Sequence, residues 1–278
     1  MDRGTLSLYR ERATWSIGHG DRKFWISLLV LSGLVGAGIY AYVYQVQRGL
    51  WVTGLNQKVS WGFYIINCVF FIGISYGGAM TSAILRLTNA KWRAPLTRLA
   101  EATAVAALLV GAVYPIIDLG RPDRIFNLLL YPQVGSPVIW DAVAISTYLV
   151  ASLVFLYLPL IPDLAVTRDE LRPGLLRRLY GLLALGWRGT PRQWHRLETA
   201  MQIMAIGIVP VAVSVHTIVS FDFSMATVPM WHSTIFGPYF VAGAIFSGIA
   251  ALIVAMAALR KALHLEHYLL PLHFDNLG

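Results

Sequence analysis

Long apolar runs dominate the chain, and most of them are twenty or more residues long and almost free of ionisable side chains. A helix of that length crosses about 30 Å of hydrocarbon. Backbone amides in lipid must find their hydrogen bonds within the segment, so each run must be helical. The pattern therefore predicts an all-α polytopic membrane bundle. Its six predicted spans are Phe24–Val46, Val59–Leu85, Leu96–Ile117, Val138–Leu160, Thr199–Val219 and Pro238–Leu259.

The connections between the predicted spans are short except for residues 161–198. Within that segment, leucines recur at helical spacing over Pro173–Trp187 beside Arg177 and Arg178. This is typical of an amphipathic helix that lies in the membrane interface. The predicted organisation is an N-terminal segment (1–23), a four-helix bundle (24–160), a loop with the interfacial helix (161–198), two further spans (199–260) and a C-terminal segment (261–278) that would lead into any additional spans.

Composition agrees with the hydropathy pattern. The 278 residues are 57% hydrophobic and 13% charged, with a mean hydropathy of +0.62. A soluble domain has about 25% charged residues. The net charge of +8 would suggest nucleic acid in a soluble protein, but basic residues beside membrane spans explain it here, and we expect no nucleic-acid partner. The first residues lack the features of a cleaved signal peptide, so we expect the first span to be retained.

The distribution of basic residues predicts the orientation. All but four of the 22 lysines and arginines fall on the same side as the N-terminus. The four on the opposite side are Arg48, Lys58, Arg121 and Arg124. By the positive-inside rule the N-terminus is cytoplasmic, and the chain is predicted to lie in the bacterial inner membrane.

Two counts exclude a redox centre of the usual kinds within these spans. Cys68 is the single cysteine, and an iron–sulfur cluster needs four ligands. A membrane haem needs paired histidines on facing spans, whereas His216 is the only histidine well within a span. We predict no metal site, and any iron–sulfur cluster must belong to a partner.

The predicted outer side carries the polar residues that are costly in lipid. Asp118 and Arg121 follow the third span and either pair with each other at the surface or present a carboxylate and a guanidinium to a headgroup. Ser136 and Pro137 are an ordinary helix start. Asp141 would then lie in the first turns, where the helix dipole favours a negative charge, although it has few partners in lipid.

The end of the fifth span is the most informative of these regions. His216 lies about one turn inside the membrane, and Asp222 follows six residues later. A lone buried histidine is usually a hydrogen-bonded core residue. However, quinol oxidation releases two protons as two electrons leave, so it needs a base within hydrogen-bond reach, and an imidazole near a carboxylate provides one.

Aromatic residues occur at a similar depth to these polar groups. They are Trp61, Tyr114, Trp140, Trp231 and Tyr239. An interfacial aromatic belt explains most of them, and one or two could flank a flat quinone ring.

Motifs along the whole chain carry a resemblance to a known family. They are WGFYIINCVFFIGISYGGAMTSAILRL, IIDLGRPDR, SPVIWDAVAISTYL, IPDLAVTRD, LLALGWRGTPRQW, HTIVSFDFSMATVPMWHSTIFGPYFVAGAIFSG and LHLEHYLLPLHFDNLG. With these motifs the chain resembles the polysulfide-reductase (NrfD-like) integral membrane subunits. Within that group it is most similar to the quinol-binding membrane subunits of bacterial alternative complex III. Those subunits often read GHAG and IIHLGR, whereas this chain has SYGG and an aspartate at residue 118, as in the wider family.

The resemblance implies a function and a site. It implies a membrane subunit of a respiratory or photosynthetic complex that oxidises menaquinol or ubiquinol near the outer ends of the second to fifth spans. Electrons would pass to a periplasmic iron–sulfur subunit, in an assembly with multihaem cytochromes c, a homologous membrane subunit and lipids. The implied catalytic residues are His216, Asp222, Asp118 and Asp141. The implied quinone-binding residues are Arg121, Trp61, Tyr114, Asn67, Trp231 and His232.

The sequence also leaves other functions open. The chain could be a non-catalytic anchor or proton-conduit subunit of such a complex, or the membrane subunit of a polysulfide-reductase-like enzyme. A secondary transporter is disfavoured because transporters place broken helices and polar sites at the midplane, whereas the polar groups of the predicted outer side lie at one rim. Members of the family typically have eight to ten spans, which is more than the six predicted here.

Overall fold

The computed structural model describes residues 22–56, 61–225 and 235–278, which form helices joined by short connections. No strand occurs in these ranges. The α-helices in chain order are α1 (Arg22–Arg48), α2 (Phe63–Leu87), α3 (Ala94–Asp118), α4 (Asn127–Leu130), α5 (Pro137–Glu170), α6 (Leu175–Leu183), α7 (Pro191–Ser224), α8 (Phe236–Ala262) and α9 (Pro271–Asp275). Short 3₁₀ turns lie at Leu50–Thr53 and Pro122–Arg124.

Six of the described helices, namely α1, α2, α3, α5, α7 and α8, are long and apolar enough to cross a membrane. The chain is therefore a polytopic membrane protein, and the predicted all-α class is confirmed. The helix α5 begins at Pro137, where the sequence places its start, but it continues to Glu170 through Pro159 and Pro162. Prolines are tolerated inside membrane helices because neighbouring groups satisfy the freed backbone carbonyls.

The helix α7 also begins earlier than the predicted fifth span, and a local capping box explains its start. The Thr190 hydroxyl accepts a hydrogen bond from the Gln193 backbone N–H at 3.3 Å. In return, the Gln193 side-chain oxygen accepts one from the Thr190 N–H at 3.2 Å. Pro191 occupies the first helical position, where its missing N–H costs nothing. Residues 161–198, predicted as a loop with one interfacial helix, are therefore helical at both ends.

The chain divides into two compact units. One comprises residues 1–49 and 157–198, of which the structure describes 22–49 and 157–198. Within it, the Tyr157 hydroxyl donates a hydrogen bond to the Leu183 carbonyl, and Arg168 donates to the Trp187 carbonyl at 3.1 Å. These two bonds connect α5 to α6 and to the turn that follows it. The leucines of α6 are largely exposed, as expected of an amphipathic helix in an interface.

The second unit comprises residues 50–156 and 199–278 and contains the helices that carry the predicted site. Its core includes α2, whose central residues are buried on nearly every side. Gly77 packs so tightly against the backbone of Gly248 on α8 that an added side chain would overlap it. A side chain added at Gly78 would likewise overlap the Ala100 carbonyl oxygen on α3. Small residues at such contacts let membrane helices approach closely.

Helix direction alternates within this second unit, and the alternation positions the polar groups. The start of α2, the end of α3, the start of α5 and the end of α7 meet at one end, around Cys68. We call this the aspartate end, defined by Asp118, Asp141 and Asp222. The end of α2 and the start of α3 carry Arg86 and Arg98, and we call this the arginine end.

Candidate functional site

Three carboxyl groups predicted from sequence converge at the aspartate end. Asp118 is the last residue of α3, Asp141 lies near the start of α5, and Asp222 lies near the end of α7. All three lie within electrostatic range of the Cys68 thiol on α2. Four helices therefore contribute to one cluster, although the four residues are far apart in the sequence.

Asp141 and Asp222 form the closest pair in this cluster. Their carboxyl groups lie within hydrogen-bonding reach of each other. Because a carboxylate only accepts, a hydrogen bond between two carboxyls requires one proton on the pair. The Oδ1 atoms of both residues are buried, and neither has a hydrogen-bond partner in the described part of the chain. The pair can therefore hold a proton and still present acceptor oxygens to another molecule.

Asp118 and Arg121 do not pair with each other. The Asp118 Oδ1 atom is buried without a hydrogen-bond partner among the described residues. Arg121 instead forms an exposed ion pair with Asp123, with 3.2 Å between Nε and Oδ1. The hydrogen bond from Arg121 lowers the pKa of Asp123 below its ordinary value. Asp118 therefore belongs to the carboxyl cluster, whereas Arg121 pairs with Asp123 at the surface.

An apolar groove of about 530 Å³ includes Phe223, the residue after Asp222, although none of the three carboxyl groups lines it. The ring centroid of Phe223 lies 4.8 Å from that of Trp61 and 5.4 Å from that of Phe240. Ile66 and Tyr239, which also line the groove, are exposed on the surface of the unit. The aromatic and aliphatic lining of the groove suits a flat apolar molecule.

The other predicted quinone-binding residues have less direct relations to this groove. Tyr114 stacks on Phe71, with 6.1 Å between the ring centroids and 13° between the planes. Asn67 is half-buried and precedes Cys68 on α2. The predictions for Trp231 and His232 lie outside the described residues.

His216 lies deeper in the same unit than the carboxyl pair. It precedes Asp222 by six residues, which corresponds to about 9 Å along the helix and a rotation of roughly 120°. Its ring meets the Tyr76 ring edge to face, with 4.6 Å between the centroids. The Ala212 carbonyl is near, yet neither ring nitrogen makes a well-formed hydrogen bond within the described ranges. Asp222 therefore pairs with Asp141, and His216 belongs to a separate layer.

The described residues of the site can exchange protons with a ligand. Within residues 22–56, 61–225 and 235–278, no three histidine, cysteine, aspartate or glutamate side chains are placed to hold a metal ion. What these residues provide is a protonatable carboxyl pair, a third carboxyl within electrostatic range of Cys68, and an aromatic groove that includes the neighbour of Asp222 in the chain.

The family of the chain follows from comparison with known sequences. The profile of the polysulphide reductase NrfD family matches residues 51–271, which is most of the chain and nearly all of the second unit. The chain belongs to the polysulphide reductase NrfD family. The predicted resemblance to that family is confirmed.

Three relatives of this NrfD-family chain illustrate the range of similar proteins. A candidate dimethyl sulfoxide reductase membrane subunit of Halobacterium salinarum is 29% identical over 231 residues, covering 83% of this chain and 50% of its own. A selenate reductase subunit of Mesobacillus selenatarsenatis is 28% identical, with 81% and 54% covered. The Hdr-like menaquinol oxidoreductase integral membrane subunit of Archaeoglobus fulgidus is 26% identical, with 83% and 50% covered. The chain spans about half the length of these curated relatives.

Two buried polar groupings in this NrfD-family chain were not predicted from the sequence. The Ser75 hydroxyl hydrogen-bonds to the Tyr148 hydroxyl at 3.0 Å, and the Ser82 hydroxyl donates to Glu101 Oε1 at 2.5 Å. A signal for the second was available, because Glu101 is a carboxyl inside an apolar span and such residues are costly there. Serines and tyrosines carry no comparable signal, because they are common in membrane helices for packing reasons.

Proposed function

We propose that this chain is the quinol-binding membrane part of an oxidoreductase complex, and that quinol is oxidised at the aspartate end. The observation that carries this proposal is the Asp141–Asp222 pair, whose second member precedes Phe223 in the lining of an aromatic groove. The groove suits a flat ring and an isoprenoid chain, because its lining is apolar and aromatic. The pair suits the hydroxyl groups of a quinol, because it can accept a proton.

The chemistry requires the chain to remove two protons per quinol. Oxidation converts QH₂ to Q, two electrons and two protons. The unprotonated carboxylate of the pair accepts a hydrogen bond from one hydroxyl and takes its proton as electrons leave the ring. The second proton goes to the pair after the first has been passed on, or to Asp118. No redox centre is proposed within the described residues, so the electrons would go to a partner.

The relatives support this assignment through their names. Two are named as subunits of reductases and the third as the integral membrane subunit of a menaquinol oxidoreductase. We infer that this chain likewise works with partner subunits, of which an iron–sulfur protein near the aspartate end is the required one. We further propose a bacterial inner membrane with the N-terminus in the cytoplasm, which would place the aspartate end on the periplasmic side.

The similarity of the motifs to alternative complex III leads to a more specific proposal for the assembly. In that case multihaem cytochromes c and a homologous membrane subunit would accompany the chain. Purification of the complex under mild detergent, followed by a haem spectrum and peptide identification of each band, tests this. Recovery with an iron–sulfur reductase subunit but without cytochromes c would instead assign the chain to a reductase of the dimethyl sulfoxide or selenate type.

Turnover of the purified complex tests the site itself. We expect Asp141→Asn and Asp222→Asn each to reduce oxidation of a water-soluble menaquinol analogue by about a hundredfold or more, because an amide cannot take the proton. Asp275→Asn, which changes an exposed carboxyl near the C-terminus, is the matched control and should keep full turnover. Full turnover in either pair variant would refute the assignment and would leave the chain as a membrane anchor.

A further inference from the structure

A polar stripe runs along one face of α2. Cys68, Ser75 and Ser82 are each seven residues apart and are buried. Seven residues make nearly two helical turns, so the three side chains lie on one face with about 10 Å between successive members. We call these three residues the α2 stripe. It extends over roughly 20 Å of the interior of the second unit.

Each residue of the α2 stripe meets a titratable group from a different part of the bundle. Cys68 lies among the three carboxyls of the aspartate end. Ser75 hydrogen-bonds to Tyr148 on α5 at 3.0 Å. Ser82 hydrogen-bonds to Glu101 on α3 at 2.5 Å. The α2 stripe therefore runs between Glu101, near the arginine end, and the three carboxyls of the aspartate end.

The middle of this series is also protonatable. Tyr148 lies within electrostatic range of Tyr76, and the Tyr76 ring packs against His216. The Tyr76 hydroxyl and both ring nitrogens of His216 are buried without well-formed hydrogen bonds to described residues. Hydroxyl and imidazole groups both donate and accept, so each can pass a proton onward.

Glu101 has a second carboxyl oxygen that the hydrogen bond from Ser82 does not use. The residue is 2% exposed, and its Oε2 atom is buried without a described hydrogen-bond partner. Arg86 and Arg98 act on it electrostatically from the arginine end. The bond from Ser82 joins α2 to α3, but a glutamine in place of Glu101 would accept the same bond without placing a carboxyl in an apolar bundle.

We propose that Glu101, the α2 stripe and His216 form a proton-transfer route between the arginine end and the Asp141–Asp222 pair. A proton enters at Glu101 from the arginine end, passes the Ser75–Tyr148 and Tyr76–His216 groups, and reaches the carboxyl pair, or travels the reverse way. The use of these protons in quinol chemistry rests on the proposed function, whereas the route itself rests on the contacts above.

Two intervals of the route lack a described contact, one between His216 and the carboxyl pair and one between Ser82 and Ser75. The second, of about 10 Å, is too long for one hydrogen bond. Ala79 occupies the interval on the same side of α2 and is buried. A proton must cross this interval by a transient water or a side-chain rotation. A hydroxyl at residue 79 would divide the interval into two shorter steps.

Proton flux into vesicles tests the route directly. The full chain is reconstituted into liposomes that contain a pH-sensitive dye, and a potassium gradient with valinomycin drives protons inward. We expect Glu101→Gln to lower the flux by about tenfold or more, because the amide keeps an acceptor for Ser82 but cannot carry the proton. Glu198→Gln changes an exposed glutamate of α7 and should leave the flux unchanged.

A second pair of variants tests the interval between Ser82 and Ser75. Ala79→Ser should raise the flux severalfold, whereas Ala83→Ser, equally buried on the same helix but outside the interval, should not. Wild-type flux equal to that of empty liposomes, or equal flux in wild type and Glu101→Gln, would overturn the route.

Menaquinone binding to the same vesicles separates this proposal from the previous one. Binding that persists while flux is independent of Glu101 refutes the route but not the quinol site. Flux that depends on Glu101 without any quinone binding upholds the route and refutes the quinol site.

Discussion

The aspartate end and the arginine end of the second unit both hold carboxyl groups, but they hold them differently. Asp141 and Asp222 lie within hydrogen-bonding reach of each other, and Phe223, next to Asp222 in the chain, lines an apolar groove with surface-exposed residues in its wall. Glu101 is enclosed and bonds to Ser82 on the neighbouring helix. The first arrangement suits a ligand that comes and goes, and the second suits a proton alone. The partners of the carboxyl groups, another carboxyl at one end and a serine hydroxyl at the other, distinguish the two ends.

The largest expected difference between the ends concerns quinone binding. Asp141→Asn with Asp222→Asn should weaken the binding of a menaquinol analogue to the full chain by about a hundredfold, because hydrogen bonds from its hydroxyl groups to a carboxylate are each worth about 1.5–3 kcal/mol. Glu101→Gln should leave the affinity unchanged. A titration that follows tryptophan fluorescence measures both. An equal loss of affinity in Glu101→Gln and in the double aspartate variant would show that the two ends do not have separate functions.

The next effect concerns the aromatic wall of the groove. Trp61→Ala removes a ring whose centroid lies 4.8 Å from that of Phe223. An aromatic contact contributes about 0.5–1.5 kcal/mol, so the affinity for the analogue should fall by roughly threefold to tenfold. Trp92→Ala at the other end of the unit serves as the control in the same titration. An unchanged affinity in Trp61→Ala would show that the analogue does not bind in this groove.

Ser82→Ala sharpens the comparison at the arginine end. It leaves the buried Glu101 carboxyl without its donor, and an unsatisfied buried polar group costs about 1–3 kcal/mol. The thermal unfolding temperature in detergent should therefore fall by a few degrees. In Ser82→Ala with Glu101→Leu, both partners become apolar and much of the loss should be recovered. Failure of the double variant to recover would mean that the two residues do not act as a pair.

The smallest expected effect is that of Arg121. Its guanidinium is exposed and paired with Asp123, so Arg121→Gln should change the affinity by less than about twofold. Because this bond lowers the pKa of Asp123, the pair is complete above the ordinary carboxyl pKa and is lost as the pH falls through the lowered value. Any contribution of Arg121 to binding should therefore change in acid. A tenfold loss at neutral pH would instead identify Arg121 as a headgroup ligand.

The sequence predicted the fold well because hydropathy and helix length report directly on membrane spans. It predicted Asp141 and Asp222 as separate candidates, since each is costly in lipid. It could not predict that they pair with each other, because that depends on how α5 and α7 pack. The same packing directs His216 toward Tyr76, although sequence proximity favoured its association with Asp222.

Some helices extend beyond the predicted membrane spans. Pro159 and Pro162 resemble the end of a span, yet α5 continues to Glu170. The sequence did not mark Glu101 as a candidate because it lies near Arg98 at the start of its span. Charged residues are ordinary at the ends of membrane helices. Its burial depends on tertiary contact with Ser82, which hydropathy does not report.

A map of the intact complex with bound menaquinol would locate the quinol site. We expect ring density in the groove lined by Trp61, Phe223 and Phe240, with one hydroxyl oxygen about 3 Å from a carboxyl oxygen of Asp141 or Asp222. Ring density elsewhere in the complex, with only acyl chains in this groove, would contradict it.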